Sequence, residues 1–192
     1  EEDNEKIGLC MDFLERRFPQ VNSLYYILNK TKNDSIEGHE AVLYSGKPYI
    51  NEQYGSLTLQ IHPNTFDQTN PRQAEQMYEK VLRSAGLSGR ERVLDLYSGI
   101  GSIGLYLSPH CKSVLGIDNV NESVQLAGEN AENNRRSNCE FIQGEVENVL
   151  DQDFFARRGR FDLAVIDPPR SGLHKNVVAE LLSVEIPHII YV

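Results

Sequence analysis

Three aspartates, Asp95, Asp118 and Asp167, stand at or near the ends of short apolar runs, and Glu145 follows a fourth run after Gly144. Carboxylates gathered at strand ends can accept hydrogen bonds from hydroxyls and hold positive charge. Behind Asp95 comes Tyr97-Ser98-Gly99-Ile100-Gly101-Ser102, in which Gly99 and Gly101 let the backbone pass close to a ligand with no Cβ in the way. Gly99, Gly101 and Gly104 also satisfy the dinucleotide pattern GxGxxG, a short pattern that matches often by chance. A pyrophosphate at the loop would make Asp95 an odd neighbour, whereas a ligand carrying a sulfonium and an amino group would suit it. A second reading stays open, in which Asp95 only ties the loop down by accepting from backbone amides.

Asp118 lies about 20 residues after the first loop glycine, the spacing at which an acidic side chain accepts both hydroxyls of a ribose. It also stands where a cap would precede a helix, and that reading is open too. In Asp167-Pro168-Pro169-Arg170 the prolines remove two amide donors and fix φ, so they hold Asp167 and Arg170 in defined directions. That makes either a floor for a planar substrate or a stiff strand-to-helix connection with a solvated arginine.

The elements that must position these residues follow from periodicity and turn chemistry. The chain from Arg92 onward alternates strand and helix. Strands are expected at Arg92 to Tyr97, Ser113 to Ile117, Cys139 to Gln143, Phe161 to Ile166 and His188 to Val192, with helices at Ser102 to Ser108, Asn121 to Arg135, Val146 to Phe155 and Leu173 to Val184. This pattern predicts an α/β fold, a doubly wound parallel sheet of order 3-2-1-4-5, because the reversal must fall between the first and fourth strands for Asp95 and Asp167 to share a crevice. Before it, Asn70 caps a helix from Pro71 to Ser84, closed by Gly86 and Gly89.

Residues 1 to 62 read as a small α+β unit and residues 63 to 192 as the ligand-binding domain. The small unit should hold a helix from Glu5 to Phe18 with an apolar stripe of Ile7, Leu9, Met11 and Leu14 beside Cys10 and Phe13. A strand at Val21 to Leu28 and a polar connection at Lys30 to Gly38 come next. An antiparallel meander of Ala41 to Tyr44, Tyr49 to Glu52 and Leu57 to His62 completes it.

With 19 basic and 28 acidic residues the formal charge is -9, so no chain-wide basic field exists to hold nucleic acid and any such binding must use local patches. Cys10, Cys111 and Cys139 are far apart, with no CxxC pair and no metal-ligand spacing, as in thiols of a reducing cytosol. No run of apolar residues is long enough to span a membrane, and the acidic start is unlike a signal peptide, so a cytoplasmic location is expected. A start without methionine and an end inside the apolar Ile189 to Val192 read as a piece of something longer.

The motifs together resemble the RNA uracil-5 methyltransferase family: Phe66 to Asn70 (FDQTN), Leu94 to Leu105, Val114 to Asp118, Asp167 to His174 (DPPRSGLH) and the terminal Ile189 to Val192. The resemblance spans roughly Tyr49 to Val192. It implies methyl transfer from S-adenosylmethionine to C5 of uracil in ribosomal or transfer RNA. It further implies that Gln68, Tyr97, Gly99, Gly101, Ser102, Asp118, Glu145 and Asp167 line the cofactor site and that Phe66, Pro168 and Arg170 meet the substrate, with no metal. Ser102 and Glu145 stand where some members have Asn, and Ser98 replaces a common Cys.

In that family a strand like the last one runs into a segment bearing the nucleophilic Cys, with a Glu further on as base, and the chain stops short of both. The expectation is therefore a Rossmann-like methyltransferase piece that binds cofactor without turnover, its partner an RNA uridine, with no membrane and a monomeric complete protein. Three alternatives remain: a methyltransferase acting on an exocyclic amine, in which Arg170 would stand where an aromatic is wanted; a non-catalytic RNA-binding fold that keeps the pocket; and a dinucleotide oxidoreductase.

Overall fold

The computed structural model describes residues 2–29, 31 and 39–192, which fall into two units. The first comprises Glu1–Asn51 with Gln60–Asn64, and the second Glu52–Leu59 with Thr65–Val192.

In the first unit, α1 (Glu2–Arg17) ends before Pro19, and β1 (Ser23–Ile27) pairs antiparallel with β2 (Ala41–Gly46). The Tyr44 hydroxyl donates to Asp12 of α1, and Tyr25 donates to the Pro48 carbonyl while meeting His62 edge-on. Of the expected apolar stripe only Met11 is buried; Leu9 and Phe13 are mostly exposed. The expected connection at Lys30 to Gly38 lies outside the described residues except for Thr31.

The expected meander does not form. β3 (Ile50–Tyr54) and β4 (Leu57–Ile61) make a two-stranded sheet of their own, separate from β1 and β2. The cause is at the end of β2, where Gly46 (φ +87°) packs against the Asn22 carbonyl and the Lys47 amide donates to it at 2.7 Å. The chain thus stays beside the start of β1, and Pro48 has no amide with which to begin a ladder.

The second unit follows the expected α/β plan. After the hairpin end of β3 and β4, α2 (Pro71–Ala85) starts on Asn70, whose side chain accepts from the Gln73 amide, and stops at left-handed Gly86. Then come β5 (Arg92–Leu96), α3 (Ser102–Leu107), β6 (Ser113–Asp118), α4 (Asn121–Asn133) and β7 (Cys139–Gln143). A 3₁₀ turn over Ser108–His110 follows α3.

The sequence predicts one helix at Val146 to Phe155; two short ones form, α5 (Val146–Val149) and α6 (Gln152–Arg158). Asp151 causes the break, taking an extended conformation and accepting from the Phe154 amide at 2.6 Å as a new cap. β8 (Leu163–Ile166), α7 (Lys175–Ser183, capped by His174) and β9 (His188–Tyr191) complete the unit.

The five strands are all parallel in the order β7-β6-β5-β8-β9, the predicted 3-2-1-4-5. Helices cover both faces. Leu94, Leu96, Leu115, Ile117, Ala164 and Ile166 pack on one face against Val146, Phe154, Val177 and Leu181 of α5 to α7. The alternate residues of β5 and β6 turn the other way, toward α3, where Gly104 sits against Asp95 and Val114. At the end of α4, Asn134 exchanges two hydrogen bonds with the backbone of Thr58, accepting from its amide at 2.9 Å and donating to its carbonyl at 2.7 Å.

Candidate functional site

The carboxyl end of β5 holds the centre of the site. Asp95 is 1% exposed and accepts from the Gly104 amide at 2.9 Å. Burial pushes its carboxyl up to about 7, the Gly104 bond works against this, and the charges of Asp167 and Asp118 add to it. Asp95 thus holds the first turn of α3 and not the loop itself, whose Gly99 amide goes to Asp118, and the residue also lines a cleft.

The chain leaves β5 through Tyr97 at φ +62°, a conformation that a side chain rarely takes and that marks stored backbone strain. The loop then turns on Gly99 (φ +53°) and Gly101 (φ +82°). A Cβ on Gly101 would come within 2.8 Å of the Phe141 ring. Close packing and backbone sign both require glycine there.

The cleft gathers Phe66, Gln68, Tyr97, Gly99, Ser102 and Asp167 from the predicted set. It adds residues whose part was not foreseen: Asp67, Tyr78, Ser98, Ile100 and Ile103. Tyr78 had a signal only as part of the apolar face of α2, and Asp67 only as one letter of FDQTN. Asp67, Asp167 and Asp95 all act on the Tyr78 phenol, which burial pushes up to about 12 against a Ser102 hydrogen bond that lowers it. Burial likewise raises Asp167.

Among the described residues lining the cleft, three are carboxylic acids and none is Lys, Arg or His. Asp67 Oδ1 and Ser98 Oγ are buried without a hydrogen-bond partner among the described residues. Such a lining favours a ligand that brings both positive charge and hydrogen-bond donors.

The other predicted residues lie outside this lining. Asp118 is 8% exposed; its Oδ2 accepts from the Gly99 amide at 2.8 Å and its Oδ1 from the Val120 amide at 2.9 Å. It therefore fixes the glycine loop to the end of β6. The Gly144 amide donates to the Asp118 carbonyl, and exposed Glu145 accepts from Asn119 at 3.3 Å, so Glu145 stands beside the same strand end. Gly101 opens α3, Pro168 is half-buried, and Arg170 is exposed on the turn closed by the Gly172 amide and the Pro169 carbonyl. No group of three or more His, Cys, Asp or Glu among the described residues is placed to hold a metal, and no helix among them is long and apolar enough to cross a membrane.

A family model described as a methyltransferase domain matches residues 87–187, which contain β5 through α7 and the whole glycine loop. The chain belongs to the methyltransferase-domain family. The chain is also 37% identical over 182 residues to a Bacteroides thetaiotaomicron protein named as an uncharacterized RNA methyltransferase, and 39% identical over 176 residues to one so named from Porphyromonas gingivalis. These matches cover 95% and 92% of the chain but 40% and 38% of the relatives, so the chain spans about two fifths of their length.

A solved structure titled Pyrococcus abyssi tRNA (uracil-54, C5)-methyltransferase in complex with S-adenosyl-L-homocysteine is 31% identical, with a TM-score of 0.76. That alignment covers 92% of the chain and 42% of the other protein. The resemblance read in the motifs is thus a likeness of sequence and of fold, and the fold is the Rossmann-like one of methyltransferases.

Proposed function

We propose that this chain is the S-adenosylmethionine-binding part of an RNA methyltransferase acting at C5 of uracil in transfer or ribosomal RNA. The observation that carries this reading is the cleft at the ends of β5 and β8, which has a glycine loop, three carboxylic acids and no basic group among its described lining. S-adenosylmethionine fits it because the molecule brings a sulfonium and an ammonium, where a dinucleotide would bring a pyrophosphate against Asp95. When bound, it supplies an electrophilic methyl group. Similarity to relatives named RNA methyltransferases supports the RNA substrate, and likeness to the Pyrococcus abyssi tRNA uracil-54 enzyme supports uracil C5.

In this reading Gly99, Gly101 and Ser102 shape the loop under the cofactor, and Gln68, Tyr97 and Asp167 close the cleft around it. Asp118 and Glu145, adjacent at the end of β6, face the ribose. Phe66, Pro168 and Arg170 form the side from which the base enters. Expected surroundings are the cytoplasm and an RNA partner, with the complete protein a monomer.

Uracil C5 becomes nucleophilic only after a thiolate adds at C6, and a base must later remove the C5 proton. None of the three cysteines lines the cleft: Cys10 is exposed on α1, while burial pushes the Cys111 and Cys139 thiols up to about 12 and about 11. The 192 residues are therefore proposed to bind cofactor and to need a nucleophile from elsewhere in the protein.

Thermal shift tests the first part: S-adenosylhomocysteine should raise the melting temperature and NAD should not, and the reverse would end the reading. Transfer of labelled methyl to unmodified transfer and ribosomal RNA tests the second. Transfer by these 192 residues that is lost on changing Cys10, Cys111 or Cys139 would refute the assignment of the nucleophile. Transfer indifferent to all three would refute uracil-5 chemistry.

A further inference from the structure

One carboxylate of the cleft accepts from a buried phenol. Tyr54, at the end of β3, is fully buried; its ring meets Tyr78 edge-on at 5.3 Å, and its hydroxyl donates to Asp67 Oδ2 at 2.5 Å. Burial and the Asp67 bond both raise the Tyr54 phenol far above its ordinary range, so it stays a donor. With Oδ2 engaged, Asp67 has one oxygen left, Oδ1, and that oxygen is buried and has no hydrogen-bond partner among the described residues. A buried acceptor without a donor is costly unless something arrives to satisfy it.

We propose that Asp67 Oδ1 receives the ammonium group of the amino-acid portion of the cofactor, with Tyr54 as the positioning residue that turns Asp67 toward it. The inference rests on the S-adenosylmethionine reading above. Of the groups on that molecule, the sulfonium is charged but donates no hydrogen bond, and the ribose hydroxyls and adenine amine donate but carry no charge. Only the ammonium does both, as suits a carboxylate that lines one cleft with Asp95 and Asp167. Asp118, tied to the Gly99 amide and outside the cleft lining, leaves the ribose to a different place in the site.

Calorimetry with two ligands separates this role from a structural one. S-adenosylhomocysteine keeps the ammonium, whereas 5′-methylthioadenosine shares the adenosine and thioether but lacks the amino-acid portion. In Asp67→Asn the Tyr54 hydroxyl should select the amide oxygen, which leaves an NH₂ group facing the ammonium. Affinity for S-adenosylhomocysteine should then fall tenfold or more, with methylthioadenosine unchanged within twofold. Tyr54→Phe should weaken S-adenosylhomocysteine severalfold and again spare methylthioadenosine; if Asp67→Asn does not fold, the same ratio in Tyr54→Phe decides.

Equal losses for both ligands, or no loss for S-adenosylhomocysteine, would overturn the role of Asp67 while leaving the cofactor reading intact. Binding of neither ligand by the unaltered chain would overturn the cofactor reading and the inference together.

Discussion

The two ends of the parallel sheet in the second unit are built from the same kinds of residue and treat them in opposite ways. At the amino end, charges are satisfied. The Arg92 amide donates to Asp162, its guanidinium donates to the Arg160 carbonyl and lies over the Phe161 ring at 4.7 Å, and Glu91 accepts from the Ser88 hydroxyl and amide. At the carboxyl end, Asp95 is buried with its carboxyl pushed up to about 7, Asp167 is raised as well, and Asp67 Oδ1 and Ser98 Oγ lack partners. One end closes the fold; the other carries electrostatic cost that a ligand can relieve.

The largest effect should come from removing the close approach that lets Asp95 be buried. A Cβ at Gly104 would lie 2.8 Å from both Asp95 Oδ2 and Val114 Cγ1. Gly104→Ala should therefore lose about 3 kcal/mol or more of stability, read by urea denaturation, together with S-adenosylhomocysteine binding. An unaltered denaturation midpoint would mean that the carboxyl end is looser than described.

Asp118→Ala should cost about 1.5 to 3 kcal/mol of cofactor affinity by calorimetry, since it removes the anchor of the Gly99 amide and the proposed ribose acceptor. Unchanged affinity would take Asp118 out of the site.

The pH dependence sharpens the contrast further. Between about 4 and 7 the unfolded chain has already lost the Asp95 proton while the folded chain keeps it, so stability should fall as pH rises through that window. Asp95→Asn should flatten that slope in melting experiments. Binding of a cationic cofactor should run the other way, strengthening up to about tenfold from pH 6 to pH 8 as Asp95 ionises. A binding curve independent of pH would show that Asp95 does not sense the ligand's charge.

The smallest effect belongs to the amino end. Arg92→Ala should cost about 1 kcal/mol of stability through the lost ring contact and carbonyl bond, with cofactor affinity unchanged. A change in affinity would erase the distinction between the ends.

Strand order, the glycine loop and the place of Asp167 were legible because each rests on a local pattern with a strong physical reason, whereas Gln68, Tyr97 and Ser102, which the cleft also gathers, were named only through the motif resemblance. Apolar runs alternating with helical stretches force right-handed crossovers and a parallel sheet, and the need for Asp95 and Asp167 to share a crevice puts the reversal between the first and fourth strands. The break at Asp151 was not legible, because Val146 to Phe155 has helical content throughout and only the cap geometry of one aspartate divides it. The missing meander was hidden for a similar reason, since Gly46 reads as a turn while its packing against Asn22 is a tertiary fact. Nor does the letter Asp distinguish Asp162, which closes the amino end, from Asp67, which lines the cleft and keeps one buried oxygen without a partner among the described residues. Partnership across the fold, not residue type, separates them.

The clasp between Thr58 and Asn134 has a kinetic meaning. A side-chain amide here copies one rung of a ladder, both accepting and donating, as a neighbouring strand would. The two residues are 76 apart in sequence, so the rung closes only once the intervening chain has come together. Hydrogen exchange at the Thr58 amide is therefore a reporter of long-range opening rather than of hairpin fraying, a probe of when the second unit is whole.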